Sequence, residues 1–174
     1  IDVSIPEDEL LKKGICNYSS NEDLLMDLSR FRSYSYLIKV TARVMSTFML
    51  KSFKIHELSL LSMEKAEGYW LLKSMFYTNA EYVKGKLRSL RPIIDENGVI
   101  YLGSRALKGM KLHYNNEFFP ILSYKDPLAE LWMRDVHEED HTGITRTVAK
   151  SRRKFWVIKA RRLAQKVKFL CYRC

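Results

Sequence analysis

One spacing constrains this chain more than any other feature: His137-x3-His141, then 29 residues, then Cys171-x2-Cys174. Histidines four residues apart fall on one face of a helix. Two imidazoles and two thiolates around one cation make a closed tetrahedral site. Such an N2S2 set suits zinc better than the other common divalent metals. Four protein ligands leave no position for a water, so the expected cofactor is one structural zinc ion. Its binding energy becomes folding energy, on the order of 10 kcal/mol in small zinc domains. Glu138, Glu139 and Asp140 lie between and beside the histidines. They read as exposed helix-end charges, one of which can orient a histidine from outside the ligand set.

The cysteine count supports a metal over a disulfide. There are three cysteines: Cys16, isolated, and the C-Y-R-C pair. An odd count without a secretion signal argues for a reducing compartment. A redox C-x2-C usually opens a helix, where the dipole lowers the thiol pKa. Here the pair follows KARRLAQKVKFL, a helix-like run, and so closes one. The chain opens on Ile1 and closes on Cys174, and is expected to be part of a longer one.

The formal charge of +10 is unevenly placed. Residues 142–174 hold 11 Lys and Arg and no acid, leaving 19 basic and 20 acidic residues in 1–141. A basic block beside a near-neutral body points to a polyanion, of which nucleic acid is the common one. The contributing side chains are Arg146, Lys150, Arg152, Arg153, Lys154, Lys159, Arg161 and Arg162. Nothing in them suggests base readout, so contact with the phosphate backbone and strong salt dependence are expected. No run of 18 apolar residues exists, so no membrane span is expected.

Periodicity predicts a mainly α fold in three stretches. Residues 1–89 read as a helical connector, with turns at Gly14 and near Asn17–Ser20 and a helix start at Ser20–Asp23, whose apolar positions are Leu24, Leu28 and Phe31. One helix is expected over Tyr34–Phe53 with a stripe of Leu37, Val40, Val44 and Phe48. Another runs over Ser62–Thr78 with Ala66, Trp70, Lys73 and Phe76–Tyr77, its aromatics in the core; His56 falls between them. Residues 90–125 read as a small β segment: LRPIIDENGVIYLGSR predicts a hairpin with an Asn-Gly turn, and 112–122 a second extended pair around Asn115–Asn116.

Residues 126–174 read as three short helices. Asp126-Pro127 opens the first, which presents Leu128, Leu131, Trp132 and Val136, and Gly143 stops it. Thr145 caps the second, with Val148 inward, and Phe155 and Trp156 add bulk. The third carries Ile158, Leu163, Val167 and Leu170 inside. A core this small needs a staple, which the zinc site supplies. The second and third helices are expected to form a helix-turn-helix-like pair.

The four ligands, together with HTGITRTVAKSRRKFWVIKARRLAQKVKFLCYRC, resemble the zinc-binding HHCC N-terminal domain of retroelement integrases. The shared features are His-x-Gly, a basic helix, the Arg152-x-x-Phe155-Trp156-Val157 step and C-x2-C. Upstream, LRPIIDENGVIYLGSR followed by FFPIL, and the run LIKVTARVMSTF, resemble the connector of BEL/Pao-type retrotransposon polyproteins. The likeness spans most of residues 18–174. It departs at Ser104-Arg105-Ala106, where the group has Gly-Arg-Leu, and at Phe119-Pro120, where it has His-Pro. The resemblance implies a module that folds on zinc, helps integrase subunits multimerise and contacts the element's DNA ends, inside the cell and in the nucleus during integration. It does not imply an enzyme: integrase catalysis needs three spaced carboxylates, and no acid follows Asp140. A host-captured, zinc-dependent protein-interaction module is the alternative. A redox role for Cys171 and Cys174 is a third, separable because metal-bound thiolates resist modification.

Overall fold

A computed structural model describes residues 28–50, 59–103 and 119–174. The turns expected near Gly14 and Ser20, the Ser20–Asp23 helix start, Cys16, His56 and the extended pair around Asn115–Asn116 lie outside these residues. Among the described residues the fold is mainly helical, with two small two-stranded sheets.

After a 3-10 turn at Leu28–Arg30, helix α1 spans Tyr34–Leu50 and helix α2 spans Leu60–Val83. They pack along each other. The buried stripe of α1 is Tyr34, Leu37, Ile38, Thr41 and Ala42, a regular i, i+3, i+4, i+7 face. This corrects the expected stripe: Val40 and Val44 are only half-buried flanks, and Phe48 is outside the described side chains. Inside the contact, the Trp70 indole N–H donates to the Thr41 hydroxyl (2.8 Å), which donates to the Leu37 carbonyl (2.9 Å). Ser59 caps α2 by accepting from the Leu61 N–H. The helix buries Ala66, Trp70, Ser74, Met75 and Thr78. Phe76 and Tyr77, expected inside, are 52% and 38% exposed. Phe76 sits two positions from buried Ser74 and so about 200° round the helix.

The predicted hairpin is present. Strands β1 (Ile93–Ile94) and β2 (Ile100–Tyr101) pair antiparallel. The Asp95 carboxylate accepts from the Asn97 and Val99 N–H groups, and Gly98 takes φ +83. Gly103 lies against the Arg91 backbone so closely that a Cβ would collide with the Arg91 carbonyl oxygen.

Strand β3 (Ile121–Leu122) pairs in parallel with β4 (Trp156–Val157). The sequence predicts residues 121–122 in a local extended pair and 155–156 as packing bulk. The Trp156 N–H instead donates to the Pro120 carbonyl (2.9 Å) and the Ile158 N–H to that of Leu122 (2.8 Å). Leu102 bonds to Phe119 on the other side, so β3 bridges the hairpin to β4.

Helix α3 (Pro127–Asp140) starts as predicted, with Asp126 accepting from the Leu128 N–H (2.8 Å) and Pro127 in the first turn. Helix α4 spans Ile144–Ser151 and helix α5 spans Ala160–Leu170. Gly143 does not stop α3. His141 does, at φ +49, and Gly143 becomes the N-cap of α4 in place of Thr145, which is exposed within the helix. The short turn, residues 141–143, joins α3 to α4; the link from α4 to α5, residues 152–159, contains β4. The turn of a helix-turn-helix is three or four residues, so the pair expected at α4–α5 does not have one. Leu163 and Val167 of α5 are buried and Ile158 is partly covered, but Leu170 is 63% exposed.

Helices α3, α4 and α5 pack on one another, and α3 also packs on α1. Tyr34, Trp132 and Phe155 meet edge to face, their ring centroids 5.3–5.9 Å apart, a favourable arrangement. The Asp135 carboxylate of α3 receives bonds from the Ser33 hydroxyl (3.1 Å) and from the Ser35 N–H (3.0 Å) and hydroxyl (3.3 Å), so it caps the start of α1. One apolar cluster therefore runs from Tyr34 through Ile100 and Ile121 to Val167. Among the described residues no helix is long and apolar enough to cross a membrane.

Candidate metal centre

The two histidines arrive by different routes. His137 occupies the last turn of α3 and is 1% exposed. His141 is the C-cap, its left-handed backbone closed by a 2.7 Å bond from its N–H to the His137 carbonyl. Histidine is among the side chains enriched at positive φ. This kink sets the two rings at 85°, centroids 5.4 Å apart, so the sequence expectation of two ligands on one helical face becomes one ligand in the helix and one on its cap. At the other end, Cys171 ends α5, and the Cys174 N–H donates to the Cys171 carbonyl (3.1 Å). That turn brings both thiols to the same side.

The ligand atoms of His137, His141, Cys171 and Cys174 all lie within 4.8 Å of one another, close enough to hold one metal ion. His137 Nε2 is 3.3 Å from Cys174 Sγ. His141 Nδ1 is 3.3 Å from Cys171 Sγ and 3.9 Å from Cys174 Sγ. Bond lengths of about 2.0–2.1 Å to nitrogen and 2.3 Å to sulfur put tetrahedral ligands roughly 3.4–3.8 Å apart. The observed separations bracket that range. His137 is held below its usual pKa by burial first, then by His141 and Lys168, which favours the neutral ring a metal requires. Burial raises the Cys171 thiol, but the N–H groups of Arg173 and Cys174 and the Cys174 thiol outweigh it and hold it below its ordinary value. Cys174 is pushed up by burial and by its Cys171 neighbour.

One participant was not anticipated. The Thr147 hydroxyl, 1% exposed on α4, lies 3.4 Å from His137 Nδ1 and donates to the Thr142 or Gly143 carbonyl (3.3 and 3.2 Å). It is placed to accept from Nδ1–H while Nε2 faces the thiols, the arrangement that orients metal-bound imidazoles. Two of the acidic residues are engaged elsewhere. Glu139 and Asp140 turn to Lys150, and Glu139 also to Arg153. Thr147 follows His137 by ten residues, with a helix end between them, so no periodic pattern marks it. The exposed Arg173 guanidinium lies 3.5 Å from His141 Nε2.

The basic residues of the sequence reading divide into distinct settings. Lys150 pairs with Glu139 and Asp140, Arg153 with Glu139, and Lys154 with Glu67. Arg152 lies over the Trp156 ring, and Lys159 and Arg162 over the Tyr124 ring. Arg146 and Arg161 are exposed on α4 and α5. No family model, curated protein or solved structure matches this chain.

Proposed function

We propose that this chain is a non-catalytic module that folds around one structural zinc ion and binds nucleic acid through its basic C-terminal third. We place it in a retroelement-type integrase polyprotein, where it also helps subunits associate. The observation that carries the reading is the convergence of two imidazole nitrogens and two sulfurs within 4.8 Å. A mixed N2S2 set favours zinc, and four protein ligands make the ion structural. In this reading zinc staples the ends of α3 and α5 and closes α3, α4 and α5 into a bundle. The charge asymmetry supports a polyanionic partner, and the HHCC resemblance supports DNA as that partner, in the nucleus. A second reading, a zinc-dependent protein-interaction module, draws on Phe169, Leu170 and Tyr172, which are 89%, 63% and 76% exposed beside the cluster.

The deciding experiment measures zinc in the purified chain, with circular dichroism before and after chelation. One zinc per chain is expected, with helicity falling on chelation and in His137→Ala and Cys171→Ala. A chain without zinc whose spectrum ignores chelators refutes the proposal.

A further inference from the structure

The nucleic-acid reading leaves open which cations meet the partner, and the structure separates them. On one side of α4, Lys150 and Arg153 are neutralised by Glu139 and Asp140, and Arg146 acts on the same Asp140. Lys154 is drawn between Glu67 and the Tyr34 ring. Lys150, Arg153 and Lys154 each already have a carboxylate partner, so each would have to break an ion pair to meet a phosphate. Arg152, Lys159 and Arg162 differ. All three are exposed, and among the described residues no carboxylate pairs with them. They are held by rings: the Arg152 guanidinium is 4.6 Å from the Trp156 centroid, Lys159 Nζ is 5.0 Å and the Arg162 guanidinium 5.4 Å from that of Tyr124.

The parallel β3–β4 pairing brings Tyr124 to Lys159 at one end of β4, and Arg152 over Trp156 stands at the other. Parallel strands end on the same side, so Tyr124, two residues past β3, meets Lys159, two residues past β4. Lys159 takes φ +54 and opens α5, which sets Arg162 three residues on against the same ring.

We propose that Arg152, Lys159 and Arg162, ordered on Trp156 and Tyr124, form the face that docks the phosphate backbone of a nucleic-acid duplex. This rests on the functional reading above. Both rings are already engaged by cations, so the face offers charge to phosphates and not open rings to stacked bases. Holding long cationic side chains on rings also reduces the conformational freedom lost on binding.

The test uses the zinc-loaded chain and a duplex of arbitrary sequence, with affinity followed by fluorescence anisotropy across salt concentrations. Combining Arg152→Gln, Lys159→Asn and Arg162→Gln should lower the steepness of log affinity against log salt by about 2.7, at about 0.9 per phosphate contact. Asparagine tolerates the left-handed backbone at 159, and unchanged zinc content confirms folding. Tyr124→Leu should weaken binding with the slope unchanged, because the charges remain. Lys150→Ala with Arg153→Ala should leave the slope as it was. If that last pair lowers the slope and the triple variant does not, the face is wrong while the nucleic-acid reading stands. If the zinc-loaded wild type binds no duplex, that reading fails and this inference with it. Tighter binding of single strands, lost in Tyr124→Leu, replaces phosphate docking with stacking. Equal affinity for polyglutamate replaces nucleic acid with an acidic protein.

Discussion

Thr147→Val tests whether the metal centre depends on a partner outside its ligand set. The substitution keeps the side-chain volume and removes the hydroxyl 3.4 Å from His137 Nδ1. With zinc on Nε2, Nδ1 carries a proton. His137 is 1% exposed, so water cannot take over the bond. A buried donor without its acceptor costs about 1–3 kcal/mol, roughly 5–150-fold in affinity. The Thr142 carbonyl also faces the ring and recovers part of this. The expected result is about 10–100-fold weaker zinc binding, the usual scale for losing such a partner. Competition against a colorimetric chelator at pH 7 measures it, with Thr147→Ser restoring most of the affinity. Urea unfolding of the metal-free protein gives the separate fold cost, expected at about 1 kcal/mol or less because Gly143 and Thr142 lose only a hydroxyl donor. Zinc affinity equal to wild type in the valine variant would refute an orienting role. A serine variant as weak as valine would assign the effect to packing.

Three further perturbations bear on the scaffold. Asp126 is 1% exposed, and burial raises its pKa to about 6 against the Leu128 N–H and Ser74, which lower it. Because the folded value exceeds the unfolded one, stability is greatest when the carboxyl is protonated and falls as pH rises from about 4 through 6, by about 3 kcal/mol in total. Asp126→Asn keeps a capping oxygen and removes that slope, so urea unfolding of the two proteins should diverge by about 1 kcal/mol between pH 5 and 7; parallel curves would count against the burial argument. Asp135→Ala removes the cap it provides to α1 through Ser33 and Ser35, and thermal or urea unfolding should show a loss of about 1–2 kcal/mol. Gly103→Ala forces a Cβ onto the Arg91 carbonyl, and the same measurement should report a loss of about 1–3 kcal/mol; a neutral result would show that this backbone yields freely.

What was legible from sequence was local. The His137, His141, Cys171 and Cys174 cluster could be read because its residue types are specific and each pair lies within one turn. Asp126-Pro127 and the Asp95–Gly98 turn were legible because capping and turn geometry act over two to four residues. The missed features depend on residues far apart in the chain. The pairing of Ile121–Leu122 with Trp156–Val157 is parallel, so no tight turn announces it. The reach of Asp135 to Ser33 spans most of the described chain. Even near the site, Gly143 was the expected helix stop because glycine favours positive φ, yet His141 takes that conformation. The stripe on α1 shifted because the face it buries is set by α2 and by Trp132 and Phe155, not by the helix's own apolar count.

The triangle of Tyr34, Trp132 and Phe155, with Asp135 bonded to Ser33 and Ser35, bears on where this protein can be cut. A piece beginning at residue 126 would keep all four ligands. It would also uncover the faces of Trp132 and Phe155 that Tyr34 covers, and leave the Asp135 carboxylate without its hydroxyl partners. A metal ion held by the cluster would join the tips of α3 and α5, but it would supply no apolar surface for the flank they leave behind. The ligand spacing alone is therefore transferable, whereas the metal-bearing end as built here is one side of a shared interior. Another chain with the same four ligands would need its own cover for that flank.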